Sequence, residues 1–172
     1  RALSEVYGRT LAAGTGLVHW LGLYSSRPYA TLTCDFNYMI GPDAFRAVCC
    51  DDIDRLTRSV DRTIFHLDGP GATRHLEALL EMDNLDAVQF TPGAGTPSAL
   101  AWQDMFERIQ ASGRSVLVHC PAGEVLELCD RLDPAGLALE AQGPAGALEA
   151  LAAAFDARYG PGPETNHPDS ES

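Results

Sequence analysis

Short apolar runs alternate with segments of helical periodicity along most of this 172-residue chain. Runs of this kind predict β-strands, and five of them occur: Tyr29–Cys34, Thr63–Leu67, Ala87–Phe90, Ser115–His119 and Leu137–Glu140. Strands that alternate with helices form right-handed βαβ units, in which the strands lie parallel in one sheet. We therefore predict an α/β fold with about five parallel βα units.

The segments between these runs carry apolar residues at the i, i+3, i+4 spacing of an amphipathic helix. The longest stripe comprises Phe45, Val48, Cys49, Ile53, Leu56 and Val60. A second stripe comprises Trp102, Met105, Phe106 and Ile109. Shorter helices are predicted to begin near Leu76 and Val125, and a closing helix covers Leu148 to Phe155.

A complete (β/α)8 barrel has eight strands and typically about 250 residues. Because five units are too few, we predict a partial TIM barrel, the C-terminal portion of a larger one, with an open five-stranded sheet as the structural alternative. Residues 1–26 are expected to form an N-terminal helix or loop segment, residues 27–157 the barrel portion, and residues 158–172 a disordered tail rich in Pro, Gly, Ser and acidic side chains. Unpaired sheet edges in such a fragment favour a homodimer.

The charge balance narrows the expected partners. The chain has 24 acidic and 12 basic residues, a net charge of −12, which disfavours nucleic acid and anionic membrane surfaces and leaves a small-molecule substrate. Every basic residue is arginine, which excludes a Schiff-base or P-loop lysine within this sequence. No apolar run is long enough to span a bilayer. The five cysteines form no CxxC pair, which favours reduced thiols and a cytoplasmic protein.

The strongest candidate site lies at the end of the second predicted strand. His66 and Asp68 are two positions apart, just before Gly69-Pro70-Gly71. Side chains two apart on a strand face the same side, and ligands bind at the C-terminal edge of parallel strands. The pair is therefore predicted to be catalytic, as acid–base groups or as two metal ligands. The alternative is that Asp68 caps the next helix and His66 satisfies a buried backbone group.

Substrate-binding candidates lie at neighbouring strand ends. Asp35, Asn37 and Tyr38 follow the first strand, and Gln89 lies near the end of the third. Tyr38 can donate a hydrogen bond to a substrate carboxylate, and Asp35 can orient a polar ligand. The alternative for Asp35 and Asn37 is that they stabilise only the turn that follows the strand.

A metal site is the alternative to a cofactor-free site. Cys120 is the soft side chain that could join His66 as a zinc ligand. A buried structural cysteine is the commoner role for such a residue. We therefore expect no cofactor, with zinc bound by His66 and Cys120 as the alternative.

Four sequence elements share the order found in one superfamily. They are the segment from Cys34 to Phe45 with its Ile-Gly-Pro-x-x-Phe helix start, the turn His66-Leu67-Asp68-Gly69, the strand Asp86–Phe90, and Leu132-Asp133-Pro134. Across residues 27–157 the chain resembles the uroporphyrinogen decarboxylase superfamily. The resemblance implies a TIM barrel.

The resemblance also implies two chemistries. One branch removes acetate carboxyl groups from uroporphyrinogen, a tetrapyrrole polycarboxylate, without a cofactor. The other transfers methyl groups between a corrinoid protein and a thiol, using zinc. His66 matches a zinc-ligand position, but Asp68 stands where that branch has a cysteine. The arginine-rich substrate motif and catalytic aspartate of the decarboxylases fall outside this sequence. We expect a uroporphyrinogen decarboxylase-like lyase, with a zinc- and corrinoid-dependent methyltransferase and a non-catalytic barrel fragment or subunit module as the alternatives.

Overall fold

The computed structural model describes residues 17–18, 20–93, 95 and 98–160. Its strands are β1 (Leu17–Val18), β2 (Tyr24–Ser25), β3 (Tyr29–Thr33), β4 (Arg62–Asp68), β5 (Ala87–Thr91), β6 (Ser115–Pro121) and β7 (Leu137–Gln142). The first two pair antiparallel as a small hairpin. The other five form one sheet in the order β3-β4-β5-β6-β7, and every pair in it is parallel. The prediction of an α/β fold with five parallel strands is confirmed.

Helices connect the parallel strands. They are α1 (Pro42–Phe45), α2 (Asp51–Thr57), α3 (Leu76–Leu80), α4 (Gln103–Ala111), α5 (Val125–Arg131) and α6 (Ala145–Tyr159). Among the described residues, every helix is too short or too polar to cross a bilayer. Helix α6 extends two residues past the predicted end of the barrel portion, and most of the predicted tail lies outside the described residues.

All the helices pack on one side of the sheet, here called the helix face. The core between them joins strand residues such as Phe65, Val88 and Phe90 to helix residues such as Phe45 and Phe106, and these five side chains have no exposed surface. A sheet that is wound in one direction, with each strand beside its neighbour in sequence, places successive helices on the same side. The helices therefore bury one face of the parallel strands along their length.

The hairpin β1–β2 and its connecting loop cover part of the opposite side, here called the site face. Leu21 of the loop is 4% exposed and packs with Ile64 and Leu117 of the sheet. The hydroxyl of Tyr29 donates to the carbonyl oxygen of Leu23 at 2.6 Å and fixes the loop to β3. Where a helix or loop was predicted, residues 17–25 thus contain two short strands. Residues 1–16 of that predicted segment lie outside the described residues.

One predicted helix stripe is wrong at two of its positions. Phe45 and Ile53 are buried as expected, but Val48 is 65% exposed and Leu56 is 51% exposed. Residues Arg46–Cys50, between α1 and α2, form a π-helical turn. A π-turn hydrogen-bonds i to i+5 and therefore shifts the phase of all later positions. The stripe predicted from uninterrupted α-helical spacing consequently points partly to solvent.

The N-terminal edge of the sheet holds a structural polar cluster. Asp86 accepts a hydrogen bond from the backbone N–H of Thr63 at 2.8 Å and pairs with Arg62 at 2.7 Å. Thr63 also donates its hydroxyl proton to the carbonyl oxygen of Asn84 at 2.8 Å. These contacts tie β4 to the residues before β5, so Asp86 is occupied at the edge opposite to the predicted site.

Candidate functional site

A cavity of about 90 Å³ lies at the C-terminal ends of β3 and β4. It is lined by Thr33, Cys34, Asp35, Asn37, Tyr38, His66 and Asp68. The two predicted catalytic residues therefore share one cavity with three of the four predicted substrate-binding residues. They meet there because Thr33 and His66 are register partners in adjacent parallel strands, so the segments after both strands emerge side by side.

The orientation of His66 is set by two residues of β5. His66 Nδ1 is hydrogen-bonded to Gln89 Oε1, and Gln89 Nε2 donates to Thr91 Oγ1 at 2.8 Å. Because the Gln89 amide nitrogen is used toward Thr91, its oxygen faces the imidazole and can only accept. His66 Nδ1 therefore carries the proton, and Nε2, which has no hydrogen-bond partner among the described residues, keeps its lone pair.

Gln89 acts on the histidine instead of contacting substrate. Its side chain has no exposed surface, and both ends of its amide are occupied by His66 and Thr91. The prediction that Gln89 binds substrate directly is therefore corrected to a positioning role. A buried amide with both ends satisfied fixes the ring of its neighbour, as second-sphere groups do at metal and acid–base sites.

Asp68 is an exposed carboxylate at the last position of β4. It forms no hydrogen bond or ion pair with any described residue. The N-cap position of the next helical turn is taken by Gly69, whose φ of 75° favours glycine, and no side-chain cap is present. The alternative in which Asp68 caps that helix is therefore wrong. The alternative in which His66 satisfies a buried backbone group is also wrong, because its partner is the side chain of Gln89.

The turn after β3 presents Tyr38 and restrains its neighbours. Thr33 Oγ1 donates to Asp35 Oδ1 at 2.9 Å, so Asp35 is partly used within the turn. Asn37 is only 3% exposed, and its backbone carbonyl oxygen accepts a hydrogen bond from His75 Nε2 at 2.8 Å. Tyr38 is 57% exposed and makes no hydrogen bond with a described residue, which leaves its phenol available to a ligand.

His75 is a positioning residue that the sequence did not indicate. It is 1% exposed and packs against the Phe45 ring at a centroid distance of 4.3 Å. Through its bond to Asn37 it fastens the turn that carries Tyr38. A single histidine in a helical segment gives no sequence signal for this contact, because its partner lies 38 residues earlier in the chain.

Cys120 does not join His66. It is 1% exposed and belongs to the core on the helix face, whereas His66 lines the cavity on the site face. Burial raises the pKa of the Cys120 thiol to about 12, which opposes the thiolate form that zinc binds. Within the described part of the chain, no three His, Cys, Asp or Glu side chains are grouped to hold a metal ion. The proposed His66–Cys120 ligand pair is therefore wrong.

Three further side chains extend the polar surface of the site face. Trp20, on the loop of the hairpin, packs edge-on with His66 at a centroid distance of 4.8 Å and an interplanar angle of 85°. His119 and Glu140 are register partners at the ends of β6 and β7, with Nε2 and Oε2 2.8 Å apart but poorly aligned for a hydrogen bond. The sequence placed His119 and Glu140 at strand ends, but nothing in it placed Trp20 beside His66.

No protein-family model matches the chain, and no curated protein matches it in sequence. The resemblance to the uroporphyrinogen decarboxylase superfamily therefore rests on the sequence elements quoted above. What the site can do follows from its own groups: a histidine nitrogen with a free lone pair, a free carboxylate and an exposed phenol around one small cavity.

Proposed function

We propose that this chain is part of a uroporphyrinogen decarboxylase-like barrel enzyme and that the cavity beside His66 is its active site. The proposed reaction is removal of a carboxyl group from a tetrapyrrole polycarboxylate, without a cofactor. The observation that carries the proposal is the fixed tautomer of His66. Gln89 holds the proton on Nδ1, which leaves the Nε2 lone pair available at a cavity that the free carboxylate of Asp68 also lines.

The topology supports the barrel part of this proposal. All five strands are parallel and follow one another in sequence order, and the helices share one face. A doubly wound sheet would reverse its strand order and carry helices on both faces. Winding in one direction is the pattern from which a (β/α) barrel is built, and its catalytic groups come from the C-terminal ends of several strands.

The chemistry of the site suits a cofactor-free decarboxylation. A pyrrole acetate loses CO2 after a ring carbon takes up a proton. The electron pair of the breaking C–C bond then forms an exocyclic double bond and neutralises the ring cation. The resulting methylene takes up a second proton, and the ring carbon returns the first. His66 can accept and donate these protons, and the Asp68 carboxylate can stabilise the cationic ring.

The substrate's own carboxylates need cations from elsewhere in the protein. The described residues around the cavity include two carboxylates, Asp35 and Asp68, and no arginine. Carboxylate groups that point away from the cavity would pair with basic side chains contributed by other parts of the barrel. The proposal therefore assigns this chain the proton-transfer groups and not the carboxylate-binding groups.

The experiment uses the protein encoded by the full reading frame and follows CO2 release from uroporphyrinogen. His66→Gln keeps the polar shape of the side chain but removes the base, and we expect a loss of about 10²- to 10⁴-fold in kcat. Asp68→Asn should lower kcat with a smaller change in KM. Glu149→Gln, on the exposed surface of α6, is the matched control and should retain activity.

A parallel assay separates the alternatives. Methyl transfer from methylcobalamin to coenzyme M is measured with added zinc. Methyl transfer that is abolished by His66→Gln, without CO2 release, would replace the decarboxylase by the methyltransferase. Absence of both activities in the wild-type protein would favour a non-catalytic subunit module. Decarboxylation that survives His66→Gln would refute the assigned role of His66.

A further inference from the structure

A second cavity lies on the site face, apart from the one beside His66. This groove, of about 310 Å³, is bounded by the loop of residues 20–23 and by strands β6 and β7. Its walls include Leu21, Leu23, Leu117 and Ala138, with Trp20 and Glu140 as the aromatic and charged members. A concavity that combines apolar side chains with one or two placed polar groups is the usual form of a small-molecule site.

Trp20 lines this groove and also contacts His66, which lines the other cavity. The indole packs edge-on with the His66 ring, yet the residue remains 62% exposed. An exposed tryptophan on a well-packed loop is costly to leave in water, and its face offers the strongest cation–π surface of any side chain. The Trp20 ring therefore gives the groove an aromatic wall, and the same ring contacts His66.

Glu140 gives the groove its charge. It is the one ionisable side chain among the described residues that line the groove, and its side chain is 47% exposed. His119, whose side chain is 17% exposed, lies beneath it with Nε2 2.8 Å from Oε2. The two atoms are poorly aligned for a hydrogen bond, so the Glu140 carboxylate remains able to accept a hydrogen bond from a ligand.

We propose that this groove binds an organic ammonium ion, a protonated amine on an apolar body. The apolar body packs against Leu21, Leu117 and Ala138, and the ammonium group lies between the Trp20 ring and the Glu140 carboxylate. An anion of the same shape is repelled by Glu140 in a chain of net charge −12, and a neutral analogue gains neither the charge-assisted hydrogen bond nor the cation–π contact.

The ammonium site is independent of the decarboxylation proposed above. It uses no group of the cavity beside His66 except the shared contact of Trp20, and it is measured by binding and not by turnover. Failure of the decarboxylase assay therefore leaves the ammonium site untouched. Failure of amine binding likewise leaves the assigned role of His66 untouched.

The test is calorimetric titration of the full chain with three probes of matched shape: phenethylamine, 2-phenylethanol and 3-phenylpropionate. We expect phenethylamine to bind at least about tenfold more tightly than the alcohol and the carboxylate not to bind. Glu140→Gln should abolish the preference for the amine over the alcohol. Trp20→Ala should lower the affinity for phenethylamine. Trp20→Phe should keep most of the wild-type affinity, because it retains an aromatic ring.

Glu149→Gln serves as the charge-matched control and should bind all three probes as the wild type does. Circular dichroism verifies that each variant is folded before titration. Equal affinity for the amine and the carboxylate, or no saturable binding of the amine, overturns the proposal. So does a folded Glu140→Gln variant that still prefers the amine to the alcohol.

Discussion

Gln89 Oε1 accepts a hydrogen bond from His66 Nδ1–H, and this one hydrogen bond decides which imidazole nitrogen keeps its lone pair. Without it, the ring would exchange its proton between the two nitrogens, and the lone pair would face the cavity only part of the time. The bond is enforced from the other side by Thr91, which occupies the amide nitrogen of Gln89. The catalytic role proposed for His66 thus depends on a residue with no exposed surface.

Replacing Gln89 by leucine tests this dependence. We expect Gln89→Leu to destabilise the fold by roughly 1–3 kcal/mol, since it leaves the part-buried His66 Nδ1 and Thr91 hydroxyl without these partners. The ¹⁵N signals of the His66 ring should change from one tautomer to a mixture. Gln110→Leu is the control, because Gln110 bonds the Asp133 carbonyl far from His66. A His66 spectrum that is unchanged in Gln89→Leu would contradict the assignment.

Gly71 gives a way to move Tyr38 without mutating it. A Cβ atom at position 71 would lie 2.7 Å from Tyr38 Cδ2 and 2.9 Å from Cζ, so Gly71→Ala must displace the ring. We expect weaker substrate binding, seen as a raised KM, with a change in stability within about 1 kcal/mol because the tyrosine is largely exposed. Gly123→Ala, where an added Cβ meets nothing within 4 Å, is the control. Equal KM values for the two variants would exclude Tyr38 from the site.

The buried thiol of Cys120 predicts a loss of stability at alkaline pH. Its pKa is raised by burial from 9.0 to about 12 in the folded chain, so between these values the unfolded state ionises and the folded state does not. The unfolded state then binds fewer protons, and the free energy of unfolding falls as pH rises above 9.0. The Cys120 thiol alone should lower the free energy of unfolding by about 1 kcal/mol at about pH 10.

Urea unfolding at about pH 8 and about pH 10 measures how much unfolding free energy each protein loses between the two pH values. The effect of Cys120 is the loss in the wild type minus the loss in Cys120→Ala. Cys120→Ala should lose less stability over the interval than the wild type. Some loss should remain, because burial and the neighbouring Cys34 also raise the pKa of Cys49, to about 11. An identical pH dependence in both proteins would show that the Cys120 thiol ionises normally.

We predict that copies of this chain associate through the two edge strands of the sheet. Within the described residues, β3 and β7 each have a parallel partner on one side only. An apolar groove of about 620 Å³ also opens between β7 and α6, lined by residues that include Leu139, Leu151 and Phe155. Unpaired edges and exposed apolar surface promote association, so we expect the chain alone to sediment as dimers or larger species. A single monomeric species at all concentrations would contradict this expectation.

The parallel sheet was predictable because of how such strands are buried. The helices cover one face and the hairpin covers part of the other, so Thr63–Leu67 and Ser115–His119 appear in the sequence as nearly continuous apolar runs. The meeting of His66, Asp68 and Tyr38 was also predictable, since the ends of neighbouring parallel strands lie at one edge. These inferences need only the spacing of residues that are close in sequence.

Other features depend on contacts that spacing does not encode. The burial of Gln89 could not be inferred from a polar residue near a strand end. The π-turn at Arg46–Cys50 shifts the helix phase, so the exposure of Leu56 was missed. The approach of Trp20 to His66 depends on where the hairpin folds over the sheet, which is a tertiary contact between residues 46 positions apart.

The hairpin has a consequence for where this domain begins. Leu21 lies in a turn, a place where sequence changes are usually tolerated, yet it is as deeply enclosed as Leu117 in the middle of the sheet. A domain boundary at residue 27 would separate Leu21 from the sheet residues that it packs against. Ile64 and Leu117 would then be exposed to solvent on one side of the sheet. The segment before the first parallel strand is therefore part of the packing of this parallel sheet. Position 21 should therefore tolerate only residues suited to a protein interior.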